Sequence, residues 1–158
     1  MSDRVTARRG AFSAEEYHRR VSRVRTLMAA DEHELDALVV TSPENIYYLI
    51  GLTHQGYFAF TMLVLPREGE LSLLTRQMEA VTISQQAPDI GHIGYSDDEE
   101  AGDAAVAALK RLRISRGRVG VDRSSMFLPA GVWEDMKLGL PDVEWVDTSR
   151  SASTATRF

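Results

Sequence analysis

The side chains best suited to chemistry lie in one short linker between a predicted helix and an apolar strand. Residues 52–57, LTHQGY, place a histidine, a glutamine and a tyrosine beside a glycine. Loops of this composition often line ligand sites, because a rigid scaffold positions them at the surface. The same residues also fit an ordinary exposed connection, with Tyr57, Phe58 and Phe60 forming the core of a hairpin. The linker is therefore the strongest candidate for a binding element, and local features leave both interpretations open.

The charged runs favour structural explanations over binding sites. Four consecutive acids, residues 97–100, fall where a helix is predicted to begin, and acids are stabilised at that position by the helix dipole. A basic cluster between Lys110 and Arg118 falls at the predicted end of the same helix, where cations are favoured. No aromatic residues alternate with these cations to stack on bases. The sequence therefore predicts neither a metal site nor a nucleic-acid interface here.

Residues of known catalytic motifs are also missing. The histidines show no metal-ligand spacing of the HExxH kind, and there is no GxGxxG, Walker or GxSxG motif. The hydroxyls of Ser124 and Ser125 have no local base motif beside them. The four histidines are His18, His33, His54 and His92. We therefore predict no catalytic residue and no metal ligand within this chain.

Length and composition favour one globular domain. The 158 residues are 44% hydrophobic and 26% charged, which suits a core of ordinary size. The formal charge of -5 is spread along the chain, and no apolar stretch approaches the ~20 residues that span a bilayer. Cysteine is absent and the N-terminus lacks an apolar signal core. We expect a cytoplasmic protein that binds neither nucleic acid nor membranes.

The N-terminal half should contain two helices, a core strand and a hairpin. Ser13 and Glu16 have capping-box spacing, and Phe12 and Tyr17 occupy the staple positions, so a helix begins there. Residues 36–41 form a buried strand; Ser42 then caps a short helix that Gly51 ends. Residues 58–65 and 70–75 flank PREG and should pair as an antiparallel hairpin. The apolar stripe of the first helix comprises Tyr17, Val21, Val24, Leu27 and Met28.

The C-terminal half alternates helices and strands. We predict helices over 77–87, 96–113 and 129–138, with strands at 91–95, 118–122 and 143–147. Ser96 and Glu99 repeat the capping-box spacing at the start of the middle helix. Its buried stripe should comprise Ala101, Ala105, Ala108, Leu109 and Leu112. The predicted fold is a single three-layer α/β domain whose mixed, mostly parallel sheet of about six strands includes one antiparallel hairpin and is covered by helices on both faces.

The predicted domain occupies residues 12–148. Residues 1–11 are polar and unpatterned, as in a flexible arm. Residues 149–158 are small and polar, which indicates a disordered tail or the beginning of a truncated linker.

Four segments, in order, carry a resemblance to a known family. They are EYHRRVSRVRTLM, DALVVTSPENIYYLIG, FAFTMLVLP and VGVDRSSMFLPAGVWEDMKLGLPDVEWVD. Together they resemble the N-terminal domain of the creatinase, prolidase (Xaa-Pro dipeptidase) and aminopeptidase P family of pita-bread hydrolases, whose fold contains a ribonuclease H-like motif. The resemblance covers residues 12–148 and implies an α/β domain that precedes a larger catalytic domain.

The resemblance implies an accessory role and an inactive chain when alone. Family members hold a divalent metal (Mn, Co or Zn) in the catalytic domain, or use metal-free histidine chemistry in creatinase, and those ligands would lie outside these residues. Relatives form homodimers in which the loop after the NIYYLIG-like segment reaches the partner's active site. The positions carried over as pocket-lining in trans, by bulk and hydrogen bonding, are Tyr47, Tyr48, His54, Tyr57 and Phe58.

Other functions are weighed against this one. Creatinase places an arginine in this loop to bind the carboxylate of creatine, and the nearest positions here are Ala59 and Phe60, so creatine is a poor substrate candidate. A stand-alone protein-interaction module of the same fold is the main alternative. A ribonuclease H-like nuclease would need acids on neighbouring strands around Mg²⁺, whereas Asp36 and Asp122 are predicted at strand ends.

Overall fold

The computed structural model describes residues 11–30, 34–53 and 59–150. The helices are α1 (Ala14–Ala29), α2 (Pro43–Ile50), α3 (Ala80–Gln86), α4 (Ala101–Arg111) and α5 (Ala130–Gly139), and a short 3-10 helix, Gln77–Glu79, precedes α3. The strands are β1 (Ala37–Val40), β2 (Met62–Pro66), β3 (Ser72–Arg76), β4 (Gly91–Tyr95), β5 (Gly117–Val121) and β6 (Val143–Asp147). No helix in these ranges has the length and apolar character needed to cross a membrane.

The six strands form one mixed sheet in the order β4-β3-β2-β1-β5-β6. β2 pairs antiparallel with both β1 and β3, whereas the pairs β1-β5, β3-β4 and β5-β6 are parallel. All strands except β2 therefore run in the same direction. The predicted mostly parallel sheet and its antiparallel hairpin are confirmed.

Strand alternation divides the core between the two faces of the sheet. In β1, Ala37 and Val39 belong to one apolar cluster and Leu38 and Val40 to the other. The first cluster is covered by α4 and α5, and the second by α1, α2 and α3. Each face thus buries every second side chain of the central strands. The predicted three-layer arrangement with helices on both faces is confirmed.

The start of α1 agrees with its sequence signals. Ser13 Oγ accepts a hydrogen bond from the Glu16 backbone N–H at 3.2 Å, and the rings of Phe12 and Tyr17 pack edge to face. The predicted stripe is wrong at Leu27, whose side chain is 49% exposed. At 100° per residue, Leu27 lies roughly 60° from Val24 on the side away from Met28, outside the buried arc.

Two predicted caps and two boundaries need correction. The helix expected from Ser96 begins at Ala101, because residues 96–99 close a turn in which the Glu99 N–H donates to the Ser96 carbonyl at 3.2 Å. Ser42 occupies the N-cap position of α2 but makes no side-chain capping bond. Strand β2 begins at Met62, later than the predicted residue 58, and the helix expected over 77–87 begins with its 3-10 turn.

Candidate functional site

Polar side chains follow several strands at one edge of the sheet. Because only β2 runs in the opposite direction, this carboxyl edge contains the last residues of β1, β3, β4, β5 and β6 and the first residue of β2. Ligand sites in open α/β sheets form outside the carboxyl ends of the strands. Phe60, which precedes β2 and follows the linker singled out in the sequence, lies at this edge.

Hydrogen bonds fix the described residues on both sides of segment 54–58. Before it, the backbone N–H and Oγ1 of Thr53 both donate to Oε1 of Gln86, the last residue of α3, at 2.9 Å. After it, the Tyr95 hydroxyl donates to the Phe60 carbonyl at 2.8 Å. Tyr95 is 6% exposed, and burial raises the pKa of its hydroxyl, so the group stays protonated as a donor. Thr53 is thereby fixed beside α3, and Phe60 beside β4.

Three of the five predicted pocket residues, His54, Tyr57 and Phe58, lie outside the described residues. The other two, Tyr47 and Tyr48, are neighbours in α2 and both are half-buried. Neighbouring helical positions point about 100° apart, so the two rings face different surroundings. The structure therefore places this pair on the helix that leads into the linker, with different surroundings for each ring.

Tyr48 is part of a stack between α1 and α2. The Arg20 guanidinium lies 4.4 Å from the centre of the Tyr48 ring and 4.1 Å from that of Phe12, and its Nη1 donates to the Tyr48 carbonyl at 2.9 Å. Its Nε donates to Glu16 at 2.9 Å. Cation-π contacts of this kind stabilise most when they are partly desolvated. The stack explains how the end of α2 is held against α1.

Gly51 directs the chain from α2 into the linker. Its N–H donates to the Tyr47 carbonyl at 2.8 Å, and its φ is +73°, a left-handed conformation that strains other residues. A Cβ there would lie 2.6 Å from the hydroxyl oxygen of Tyr17, which is 1% exposed. Both the backbone angle and the buried ring therefore require glycine.

A second group of polar side chains follows β1, β5 and β6. Asp122 accepts hydrogen bonds from the Ser124 N–H at 2.9 Å and the Ser124 hydroxyl at 2.6 Å, and Asp147 accepts one from the Ser149 N–H at 3.0 Å. The Ser149 hydroxyl also donates to Asp147, which lowers the pKa of that carboxyl. These are Asx turns, which were not predicted although their Asp-x-Ser spacing is present in the sequence.

Between these groups, hydroxyls link β1 to the turn after β5. The Thr41 hydroxyl donates to Ser125 Oγ at 3.0 Å, and Thr41 is 4% exposed. Ser125 in turn accepts from the Phe127 N–H at 3.2 Å. Ser125 thus has structural partners, and within the described ranges no histidine or carboxylate side chain bonds to its hydroxyl. The structure gives this serine no nucleophile geometry.

His92, the second residue of β4, is held by a short polar contact within the sheet. Its Nε2 lies 2.7 Å from Oγ1 of Thr75, which is 1% exposed. Burial lowers the pKa of His92, and the negative charge of the buried Glu79 opposes that effect. The imidazole is accordingly neutral at neutral pH, which suits a hydrogen-bonding role in the sheet.

The described residues do not fit a metal centre. Across the described ranges, no three His, Asp or Glu side chains converge as metal ligands. Two-metal hydrolysis needs several carboxylates around ions ~3.5 to 4 Å apart. The carboxylates of Asp122 and Asp147 are instead engaged by their turns. Asp36 precedes β1 at the opposite edge, where it accepts a hydrogen bond from the Arg118 N–H. Asp36 and Asp122 therefore lie at opposite ends of their strands, which does not suit the shared Mg²⁺ site of a nuclease.

A groove of about 350 Å³ lies at the opposite, amino edge of the sheet. α1 forms one wall, and the residues before β3 and β4 form the other. Its polar lining includes His18, Ser22, Arg25, Glu70 and Asp89. Tyr17 and the α2 residues Leu49 and Ile50 also line it, whereas Tyr47 and Tyr48 do not, so the groove adjoins the end of the helix that leads into the linker.

A family model supplies the identification that the geometry alone does not. Residues 20–154 match the creatinase/prolidase N-terminal domain. The chain belongs to this family. The family resemblance noted in the sequence is confirmed, and the six-stranded mixed sheet described above agrees with it.

Comparison with individual relatives and solved structures agrees with this family assignment. The chain is 27% identical over 145 residues to an uncharacterised hydrolase/peptidase, y4tM, of Sinorhizobium fredii, covering 86% of this chain and 36% of that protein. Dipeptidase PepE from Mycobacterium ulcerans is similar in structure, with a TM-score of 0.72 at 21% identity over 94% of this chain and 37% of PepE. The N-terminal domain of an X-Pro dipeptidase from Streptococcus pyogenes gives 0.71 at 14% identity, covering 86% of this chain and 98% of that domain. This chain thus spans about a third of the length of y4tM and PepE.

Proposed function

We propose that this domain is the accessory N-terminal part of a creatinase-like or Xaa-Pro peptidase-like hydrolase. It contributes to dimerisation and lines the partner subunit's substrate pocket, and it does no catalysis itself. The observation that carries the proposal is that the described residues flanking 54–58 are fixed: Thr53 is bonded to Gln86 at the end of α3, and the Phe60 carbonyl accepts from Tyr95 of β4. A loop with both ends fixed can present side chains to a partner at a lower entropic cost.

The proposed pocket residues act by shape and hydrogen bonding. Tyr47, Tyr48, His54, Tyr57 and Phe58 combine aromatic surface with polar groups, as ligand pockets do. The Arg20 guanidinium packs on the Tyr48 ring and holds it against α1. Gly51 sets the direction in which the chain leaves α2. None of these side chains is assigned a proton-transfer step.

The chemistry is assigned to a catalytic domain outside these residues. There a divalent ion, Mn, Co or Zn, would polarise the scissile carbonyl and activate water. The present residues bind no such ion in this proposal, because no three metal-ligating side chains of the described ranges converge, and Asp122 and Asp97 are engaged by a turn and by Arg76. A small amide such as an Xaa-Pro peptide is the proposed substrate class.

A chimera tests whether the linker contributes to substrate use. Residues 12–148 would replace the matching N-terminal region of PepE, and His54→Ala and Tyr57→Ala would be compared with Leu138→Ala, a change at a 78% exposed residue of α5. We expect kcat/KM for a dipeptide to fall about tenfold or more, equivalent to ~1.4 kcal/mol, for the two linker variants. Their free energies of unfolding should change by no more than about 0.5 kcal/mol.

The same data separate a pocket residue from a core residue. An emptied core aromatic costs ~3 to 5 kcal/mol of folding free energy. If Tyr57→Ala lost that much stability while the chimera kept its kcat/KM, Tyr57 would belong to the core and the proposed pocket role would be wrong.

A further inference from the structure

β4 is an outer strand with backbone groups that nothing in the described ranges pairs. Among those residues its only strand partner is β3, and the Gly91 N–H donates to the Leu71 carbonyl at 3.0 Å. Because successive residues of a strand point their N–H and C=O groups to opposite sides, Ile93 and Tyr95 also face β3. His92 and Gly94 therefore present their N–H and C=O groups outward.

The other outer strand is protected in a way that β4 is not. Proteins commonly guard edge strands with charged residues or proline. β6 contains Glu144 and Asp147, so pairing it with a second β6 would gather four carboxylates. β4, with the sequence GHIGY, contains no acid, lysine, arginine or proline. The β4 edge is the one on which pairing carries no electrostatic cost.

We propose that β4 pairs antiparallel with β4 of a second copy of this chain, around a two-fold axis at Ile93. This proposal rests on the dimerisation proposed above and assigns the surface that forms it. In this register His92 faces Gly94 of the other copy, and each such pair exchanges two N–H to C=O hydrogen bonds. The outward groups of both strands are thereby satisfied, with about four hydrogen bonds across the junction.

Shifted registers satisfy fewer groups. Pairing His92 with itself would bring Gly94 opposite Ile90, whose N–H already donates to the Ala87 carbonyl at 3.1 Å. Pairing Gly94 with itself would bring His92 opposite Ser96, whose carbonyl already accepts from the Glu99 N–H at 3.2 Å. The Ile93 register avoids both conflicts.

The side chains of β4 suit this register. Ile93 lies on the face covered by α4 and α5 and packs against that core cluster, so two copies of Ile93 would extend the core across the axis. On the other face His92 would lie beside a glycine, which offers no side chain to collide with it. Gly94 is itself constrained, because a Cβ there would lie 1.9 Å from Oε1 of Gln77.

Exposed apolar side chains adjoin the same edge. Met78 and Val81 are 70% and 67% exposed. They follow Gln77, whose side chain lies over Gly94 of β4. A two-fold axis perpendicular to the sheet leaves the two copies of this segment on the same face. Burying the two apolar residues between the copies would remove from water a surface that the single chain leaves exposed.

The test measures self-association of this chain alone by sedimentation equilibrium, over about a hundredfold range of concentration. We expect a monomer-dimer equilibrium that the double variant M78K/V81K weakens about tenfold or more in Kd. The matched control is L27K/L138K, which adds the same charges at exposed apolar positions of α1 and α5 and should leave Kd unchanged.

Amide hydrogen exchange identifies the edge that pairs. The amides of His92 and Gly94 should be protected at high protein concentration and exchange faster on dilution. The Trp145 amide, which faces outward on β6 by the same alternation, should be unaffected by concentration. A chain that remains monomeric throughout, or a dimer in which Trp145 and not His92 is protected, would overturn the proposal. Neither result bears on the linker, which the chimera tests separately.

Discussion

Replacing Gly51 by alanine is expected to lower the free energy of unfolding by about 3 kcal/mol, because two costs act at one position. The left-handed φ of +73° strains any residue with a Cβ, and that Cβ would lie 2.7 Å from the ring carbon Cζ of the buried Tyr17. Relieving this contact would require displacing the Tyr17 ring, which is 1% exposed and packs between α1 and Gly51. Urea unfolding followed by circular dichroism measures the change.

Two other glycines separate these costs. Gly69 has a φ of +96° but open space around its Cβ position, so Gly69→Ala should cost about 1 to 2 kcal/mol from backbone strain alone. Gly131 in α5 has open space and no positive φ, and Gly131→Ala should be neutral or stabilising by up to about 1 kcal/mol. Equal losses at Gly51 and Gly69 would show that contact with Tyr17 contributes nothing.

Replacing Trp133 by alanine should cost ~3 to 5 kcal/mol of unfolding free energy, because it empties a buried aromatic position. Trp133 is 8% exposed, and its ring packs edge to face on Trp145 with centroids 5.3 Å apart. The cations of Arg123 and Lys137 lie 5.0 and 5.4 Å from the ring centre. Its loss would leave a cavity between α5 and β6, measurable by urea unfolding.

Two variants check the cause of this effect. Trp133→Phe keeps an aromatic ring on Trp145 and should cost clearly less than the alanine variant. Leu138→Ala changes the same helix at a 78% exposed position and should stay within about 0.5 kcal/mol. A Trp133→Ala protein as stable as the Leu138 variant would contradict the packing described for α5.

Local signals in the sequence predicted most of the fold. The order of helices and strands follows from short buried runs such as residues 37–40, whose four side chains are all buried. Ser13 and Gly51 marked helix ends correctly because their signals act within one helical turn. The hairpin was predictable since its turn formers lie between two apolar runs.

Signals with competing local partners were less reliable. Ser96 and Glu99 had the right spacing for a capping box, but their backbone closes a turn and α4 begins later. Leu27 is apolar yet exposed because its helical position falls outside the buried arc. In both cases the residue spacing is compatible with the predicted feature, a capping box or a buried side chain, but does not require it.

The candidate site depends on contacts between residues far apart in the chain. The bonds from Thr53 to Gln86 and from Tyr95 to Phe60 join positions 33 and 35 residues apart. No periodicity or motif records such pairs, because they arise only when the strand order is known. The linker was predicted as a binding element from its composition, and that stays a prediction; the bonds that fix Thr53 and Phe60 could not be predicted from sequence.

Complementation between subunits is the most direct test of the central claim, that this domain lines the partner's pocket. One PepE chimera would carry Tyr57→Ala with an intact catalytic domain, and the other an intact linker with an inactivated catalytic domain. If the linker acts in trans, random mixing should make half of the dimers heterodimers, each with one complete active site. About a quarter of all active sites would then be complete. Recovery of dipeptidase activity on mixing is the predicted result. A mixture no more active than its two components, although heterodimers form, would contradict the claim.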